Sequence, residues 1–184
     1  VLPFTAAAAQ AIVSSGLTDD DDLQVKLAAI LALADMPASP VAGKRVAQLA
    51  VDSANVMRDR WLADAVTSAA AIQAVSFLDE LKQPTAQVEK LPGNAPVWQV
   101  VARVGEHIAR GRPDATAVEQ LLTKLEAAPT PLLENTLAGL ARGWPKEHRI
   151  KLSEAAERKL TSIFKAAPAG SKGQLIRLAG AWGS

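Results

Sequence analysis

Residues 22–28 read DLQVKLA and residues 59–65 read DRWLADA, so a similar stretch returns after 37 positions. In this recurrence Asp22 corresponds to Asp59 and Val25 corresponds to Leu62, while Trp61 returns as Trp98 at the same interval. A period of this length is typical of repeat proteins built from helix pairs. Because one helix pair cannot bury its apolar face alone, neighbouring pairs are expected to stack into a continuous core.

The composition favours helix along the whole chain. Of the 184 residues, 49% are hydrophobic and 21% are charged, which is typical of one folded domain of ordinary size. Alanine and leucine, which are strong helix formers, dominate, and tyrosine is absent. We therefore predict an all-α fold: a single domain over residues 1–184, arranged as a right-handed α-α superhelix of about five helix pairs.

Capping residues and helix breakers set the predicted helix boundaries. The helices are predicted at about 4–14, 22–35, 40–52, 60–71, 72–82, 96–110, 115–128, 131–142, 154–167 and 172–182. Residues 83–95 contain Pro84, Pro92 and Gly93 and are the predicted hinge. Residues 168–173 are rich in small residues and are predicted to form a loop, since they lack the order of a phosphate-binding loop.

Two patterns predict burial. The stretch 23–34 is apolar on nearly every side of a helix, which indicates an inner helix that is buried on several faces. Trp61 and Trp98 occupy corresponding positions, which indicates that both indoles pack between repeats.

The repeats are out of phase with the chain ends. The chain begins in the second helix of one pair and ends after the first helix of another, and both ends carry apolar residues such as Phe4, Ile12, Ile176 and Trp182. Solenoids normally close with polar-faced capping repeats. We therefore expect the segment to belong to a longer polypeptide, or to pack its ends against other domains.

Charge and cysteine content exclude several classes of function. The net charge of +1 is too near zero to imply nucleic-acid or membrane binding by the chain as a whole. The charge is uneven, at −4 over residues 1–92 and +5 over residues 93–184. No stretch approaches 18 consecutive apolar residues, so we predict no membrane span. The absence of cysteine excludes disulfides, thiolate metal sites, cysteine nucleophiles and covalent haem attachment within this segment.

Neither the histidines nor the acidic run predicts a chemical site. His107 and His148 are the only histidines, whereas a zinc site needs about four ligands and a catalytic triad needs a nucleophile beside a base. Asp19–Asp22 lacks the alternating ligands and the glycine turn of a calcium loop, and it is predicted to be an inter-repeat loop that caps a helix. We therefore predict no catalytic, cofactor-binding or metal-binding residue and no cofactor.

A basic set in the C-terminal half is the remaining candidate surface. Three acidic residues, Glu147, Glu154 and Glu157, interrupt it, which favours a solvated face or a partner-docking face over a nucleic-acid interface. The basic set comprises Arg142, Lys146, Arg149, Lys151, Arg158 and Lys159.

Several motifs resemble those of known helical repeats. Residues 23–34 (LQVKLAAILALA) resemble the first helix of a HEAT repeat. LALADMP at 31–37, DRWLADA at 59–65, FL at 77–78, LARGW at 140–144 and LAGAWG at 178–183 resemble the HEAT-like region of large multidomain bacterial proteins of the planctomycete and verrucomicrobial type. In that group a glucose/sorbosone-dehydrogenase-like β-propeller precedes such helices, and a c-type haem-binding CxxCH module often follows them.

The resemblance implies that the superhelix is a HEAT/armadillo-like solenoid. It also implies a role as a spacer or docking domain, a periplasmic or otherwise extracytoplasmic location, and a parent chain that carries an oxidoreductase domain. The expected function of the segment itself is a non-catalytic scaffold or protein-interaction module, whose partner is a protein or a neighbouring domain. Two alternatives stay open: a nucleic-acid-binding HEAT-like repeat protein, and an enzyme built on helical repeats. Zero tyrosines and two poorly placed histidines argue against the enzyme.

Overall fold

The computed structural model describes residues 5–52 and 54–184, and within these ranges it contains α-helices and no strand. The predicted all-α class is therefore confirmed. A 3₁₀ turn at Leu17–Asp19 follows the first helix. The helices of the described ranges are α1 (Ala6–Ser14), α2 (Leu23–Asp35), α3 (Pro40–Asp52), α4 (Ala54–Arg58), α5 (Arg60–Ile72), α6 (Ala74–Lys82), α7 (Ala86–Glu89), α8 (Pro96–Arg110), α9 (Ala115–Leu125), α10 (Thr130–Gly143), α11 (Glu154–Ala166) and α12 (Ala169–Ala181).

Local capping explains where several helices begin. The side chains of Asp22, Asp59, Asp114 and Ser153 each accept a hydrogen bond from a backbone N–H in the first turn of α2, α5, α9 and α11. Such caps satisfy donors that have no partner within the helix. These four predicted starts are confirmed. The predicted start of α1 at Phe4 lies outside the described residues, and Thr5 caps the described part of that helix.

Three local predictions differ from the structure. The loop prediction for residues 168–173 is wrong, because α12 begins at Ala169. The short helix α4 was not predicted, and α7 forms within residues 83–95 after an N-cap at Thr85. Gly170 and Gly173 weaken helix propensity in α12, but the burial of Leu175 and Leu178 on the same helix offsets that cost.

The chain forms two compact units, Val1–Val100 and Val101–Ser184, and the boundary between them falls within α8. They are called the N-terminal unit and the C-terminal unit below. Their net charges are −4 and +5, because residues 93–100 carry no charged side chain. The single domain over 1–184 and the hinge at 83–95 stay predictions.

In the N-terminal unit, α2 packs on α5 and α3 packs on α6. Gln73, directly after α5, donates a hydrogen bond to the carbonyl of Leu33 near the end of α2, so the C-terminal ends of α2 and α5 lie together. Gly43 in the second turn of α3 lies directly against Ser76 in the first turn of α6. Each of these two helix pairs is therefore parallel. Met36 lies beside Gln73, 37 positions on, and Gly43 lies beside Ser76, 33 positions on.

In the C-terminal unit, α10 packs on α12, and α11 packs on α9 and α12. The helix α10 also lies close to α8, because a Cβ added at Gly139 would overlap the carbonyl oxygen of Ala102. Leu122, Leu137, Leu140 and Trp182 are among the fully buried side chains that fill the core of this unit.

Two burial predictions are wrong for the N-terminal unit. Trp61 was expected to pack between repeats, but 66% of its surface is exposed. Trp98, at the corresponding position, is buried, and its indole N–H donates to the carbonyl of Pro92 at 2.9 Å. The helix α2 is not buried on several faces either, since Leu23 is 51% exposed and Leu31 is 43% exposed.

Candidate functional site

An exposed face runs along the parallel helices α2 and α5. Because these helices pack side by side, positions separated by 37 residues point in the same direction. Within each helix, residues three or four positions apart lie on the same side. This α2/α5 face consists of Gln24, Leu27, Leu31 and Asp35 on α2 and Trp61, Asp64, Ser68 and Ile72 on α5. All eight residues are exposed except Leu27, which is half-buried.

The α2/α5 face presents large apolar side chains to solvent. Trp61 is 66% exposed, and Leu31 and Ile72 are each more than two-fifths exposed. Leu23 lies beside the face at the first position of α2. Isolated exposed apolar side chains are ordinary, whereas several on one face with an exposed tryptophan are typical of interaction surfaces.

The surroundings of this face are acidic. Residues 20–35 and 59–72 contain six aspartates against one lysine and one arginine. Arg60 is only weakly engaged with Asp64, at 4.0 Å, and its guanidinium lies over the Trp61 ring at 5.6 Å from the centroid. An arginine over an indole is a cation–π contact, so the Trp61 ring already accepts a positive charge from within the chain.

A second candidate surface is a cleft of about 510 Å³ in the C-terminal unit. Three cationic residues line it, namely Lys146, Arg149 and Arg177, and no carboxylate among the described residues does. Apolar groups, including Trp144 and Ile176, form the rest of its wall. This basic cleft therefore combines positive charge with apolar surface.

The loop that forms one wall of the basic cleft is held by several hydrogen bonds. The indole N–H of Trp144 donates to the carbonyl of His148 at 3.0 Å, and the His148 ring stacks on that indole with centroids 5.2 Å apart. The backbone N–H of Ile150 donates to the carbonyl of Ala181 at the end of α12. These contacts fix the positions of Lys146 and Arg149 against α12.

A third cluster surrounds Glu106 on α8. Its buried carboxylate accepts from Arg110 at 2.5 Å, from Arg142 at 3.4 Å and from Arg103 at 3.5 Å. The three guanidinium groups are themselves mostly exposed. This cluster joins α8 to α10 and neutralises a buried charge, which identifies it as structural.

The acidic run Asp19–Asp22 is engaged in local structure. Asp22 Oδ1 accepts from the N–H of Gln24 at 2.8 Å, and Asp20 Oδ1 accepts from the N–H of Asp22 at the same distance. Asp19 pairs with Arg45 of α3. The predicted helix cap is confirmed at Asp22, and within the described residues no three His, Cys, Asp or Glu side chains form a metal-ligand group.

The two histidines lie apart from any acid–base constellation in the described structure. His107 is exposed in the last turn of α8. His148 is half-buried, and its Nε2 lies 2.9 Å from the carbonyl oxygen of Pro113, so Nε2 carries the hydrogen that donates to it. His148 thereby helps to position the loop beside the basic cleft.

The predicted basic set does not form one surface. Arg142 binds Glu106, Arg158 lies 3.9 Å from Glu154, and Lys159 donates to the hydroxyl of Thr123. Lys146 and Arg149 are the members of the set that line the basic cleft, and they are joined there by Arg177, which sequence reasoning missed.

Two signals in the sequence could have identified these surfaces. The residue 37 positions before Trp61 is Gln24, a polar residue that favours an outward position for both. Arg103, Glu106 and Arg110 follow the spacing of three and four residues at which helical side chains pair. The approach of Arg177 to Lys146 had no local signal, because it depends on the packing of α12 against the loop after α10.

This chain matches no protein-family model, no curated protein and no solved structure. Within the part of the chain that the structure describes, no single helix is long and apolar enough to cross a membrane. The helices α5 and α6 meet that criterion only when they are taken together, and they are bent by 101° at their junction.

Proposed function

We propose that this chain is a non-catalytic helical-repeat module that binds a basic amphipathic helix of a partner protein on its α2/α5 face. The observation that carries the proposal is the exposure of Trp61 on the same face as Leu31 and Ile72. Tryptophan is enriched among the residues that contribute most to protein–protein binding. Burying this ring against a partner would remove a large apolar surface from water.

The negative charge around the α2/α5 face favours a positively charged partner. Six aspartates on residues 20–35 and 59–72 attract positive charge and disfavour an acidic partner. The two parallel helices present their exposed sides next to each other. An amphipathic helix fits such a surface, because residues three and four positions apart present one apolar stripe that basic side chains can flank.

The same proposal includes a HEAT-like superhelix that acts as a scaffold, and an extracytoplasmic location for the protein. Parallel packing of α2 with α5 and of α3 with α6 supports stacked helix pairs. The sequence resemblance supports a spacer or docking domain within a larger bacterial protein in an extracytoplasmic location. The partner is then another protein or a neighbouring domain that supplies the basic helix.

Peptide binding tests this proposal. The probes are a synthetic amphipathic helix of leucine and lysine, a scrambled peptide of the same composition, and a version with glutamate in place of lysine. We expect the leucine–lysine helix to bind most tightly of the three peptides. Trp61→Ala should lower its affinity at least about tenfold, which corresponds to about 1.4 kcal/mol. Titration calorimetry measures the affinities.

Val75→Ala is the matched control, since Val75 is an exposed apolar residue on α6 and lies outside the α2/α5 face. It should leave the affinity unchanged. Equal binding of the scrambled peptide, or an equal loss in the two variants, would contradict the proposed function. Binding of the acidic helix that Trp61→Ala weakens as much as it weakens the basic helix would also contradict it.

A further inference from the structure

The basic cleft of the C-terminal unit is a surface that the proposed function does not use. Its lining carries three positive charges, from Lys146, Arg149 and Arg177. The Arg149 guanidinium donates to the carbonyls of Lys146 and His148, so its charge is positioned by the backbone and is not cancelled by a carboxylate. The side chains of Lys146 and Arg177 have no ion-pair partner among the described residues.

Three cations that line one cleft without a carboxylate give the cleft a positive potential. Such a potential attracts an anionic ligand. Elsewhere in the same unit the exposed arginines are paired, as Arg112 is with Glu147 and Arg158 is with Glu154. Among the exposed arginines of the described part of this unit, Arg149 and Arg177 are therefore distinguished by having no carboxylate partner.

The apolar part of the wall of the basic cleft indicates a ligand that carries apolar groups as well as negative charge. Ile176 is 62% exposed and lines the cleft together with Trp144 and the backbone of Gly180. An inorganic anion would leave this surface uncovered. The cationic side chains are exposed along the rim, so the cleft is open, whereas small molecules are usually enclosed on most sides. A segment of polypeptide can cross an open cleft and place charged and apolar side chains in turn.

We propose that the basic cleft binds an acidic peptide segment of a partner protein, with carboxylates at Lys146, Arg149 and Arg177 and an apolar side chain against Ile176. Arginine suits this role because its guanidinium group can hold a carboxylate with two parallel hydrogen bonds. The chain then has two docking sites of opposite charge, one in each unit. This inference does not depend on the α2/α5 face.

The test is a titration of the whole chain with defined probes. They are a short peptide rich in glutamate and leucine, a glutamate-only peptide, inorganic phosphate, and a short single-stranded DNA. We expect the glutamate–leucine peptide to bind most tightly, with an affinity that falls as salt increases. Failure of the peptide to saturate, or tighter binding of phosphate or DNA, would overturn the inference.

Charge-neutralising variants locate the binding. Arg177→Gln and Lys146→Gln should each weaken the glutamate–leucine peptide by about five- to tenfold. Lys165→Gln removes the same charge from an exposed position on α11 outside the cleft, and it should leave the affinity unchanged. Ile176→Ser should reduce binding of this peptide but not of the glutamate-only peptide. An equal loss in Lys165→Gln and Arg177→Gln would show that only general charge attraction is at work and would end the proposal.

The variants Trp61→Ala and Arg177→Gln distinguish the site for the acidic peptide from the site for the basic helix. Trp61→Ala should leave binding of the glutamate–leucine peptide unchanged, and Arg177→Gln should not weaken the basic helix. If Trp61→Ala weakens the acidic peptide as much as Arg177→Gln does, the assignment to the basic cleft fails. Circular dichroism of every variant verifies that the helical content is retained.

Discussion

The side-chain oxygen of Gln73 accepts a hydrogen bond from the backbone N–H of Ser39 at 2.7 Å, across 34 positions of sequence. The amide nitrogen of the same side chain donates to the carbonyl of Leu33 at 3.1 Å and lies 3.3 Å from the carbonyls of Met36 and Pro37. These backbone groups lie where α2 ends and α3 begins, so they have no partner within a helix. A buried glutamine after α5 thus completes the preceding helical hairpin.

Replacement of Gln73 by leucine should strongly destabilise the N-terminal unit. The leucine keeps the apolar volume but leaves the Ser39 N–H and the carbonyl of Leu33 buried without partners. The expected loss is about 2 to 4 kcal/mol in the free energy of unfolding. Chemical denaturation followed by circular dichroism measures it. Gln83→Leu is the control, since Gln83 is exposed, and it should change stability by less than about 0.5 kcal/mol. Equal effects would show that the Gln73 hydrogen bonds are not important.

Gly139 should be intolerant of alanine because α8 and α10 approach there closely. An added Cβ would overlap the carbonyl oxygen of Ala102 and lie 2.8 Å from the backbone nitrogen of Glu106. Backbone atoms cannot rotate away as a side chain can, so the two helices must separate. We expect Gly139→Ala to cost about 2 to 4 kcal/mol of unfolding free energy, measured by chemical denaturation.

The same substitution at Gly173 should act in the opposite direction. Gly173 lies inside α12, and a Cβ added there meets no atom within 4 Å. Alanine has the higher helix propensity, so Gly173→Ala should stabilise the C-terminal unit by about 0.5 to 1 kcal/mol. A stabilised Gly139→Ala would contradict the close approach of α8 and α10, and a strongly destabilised Gly173→Ala would contradict the open space beside Gly173.

Local features of the sequence could predict most of the helices but not their surroundings. The cap at Asp59 and the proline that opens α3 at Pro40 act within one turn, so the sequence alone shows them. The partners of Gly139 and Gln73 lie more than 30 residues away, and no local pattern identifies them. The exposed position of Trp61 was not predicted, because the recurrence of Trp61 as Trp98 indicated packing between repeats, whereas the orientation of Trp61 follows from the packing of α5 on α2.

The residues of the basic cleft were likewise predictable only in part from the sequence. Lys146 and Arg149 were recognised as part of a basic set, because charge is visible in the sequence. Their convergence with Arg177 depends on the contact between α12 and the loop that follows α10. Composition therefore predicted the sign of the C-terminal charge, and tertiary packing determined which members meet.

Neutralising Glu106 should release three arginines that now share one carboxylate. In Glu106→Gln the side chain keeps its size, but Arg103, Arg110 and Arg142 repel one another without a compensating charge. We expect a loss of about 1 to 3 kcal/mol in unfolding free energy, and the loss should shrink as salt screens the arginines. Thermal and chemical denaturation at low and high salt measures both effects.

Glu154→Gln is the control for that prediction. Glu154 is 93% exposed at its side chain and lies 3.9 Å from Arg158, and an exposed pair of this kind contributes little. Its substitution should change stability by less than about 0.5 kcal/mol. A Glu106→Gln variant as stable as wild type at low salt would show that the carboxylate does not hold the arginines together.

Trp61 should dominate the solvent-exposed part of the tryptophan fluorescence. The other three indoles, of Trp98, Trp144 and Trp182, are buried. Trp61→Phe should therefore shift the emission to shorter wavelength and remove the component that acrylamide quenches most readily. The unfolding free energy should change by less than about 0.5 kcal/mol, because the ring makes few contacts within the chain.

Trp182→Phe is the matched control for Trp61→Phe. Trp182 is fully buried and meets Trp144 edge to face with centroids 5.6 Å apart, so loss of its larger ring leaves a cavity and should cost about 1 to 3 kcal/mol. Its buried indole N–H has no hydrogen-bond partner within the described residues, and removal of that donor offsets part of the loss. Acrylamide quenching of this variant should stay as strong as in wild type. If Trp61→Phe leaves the quenching unchanged, or destabilises the chain as much as Trp182→Phe does, then the indole of Trp61 is covered in solution and the α2/α5 face is not free to bind a partner.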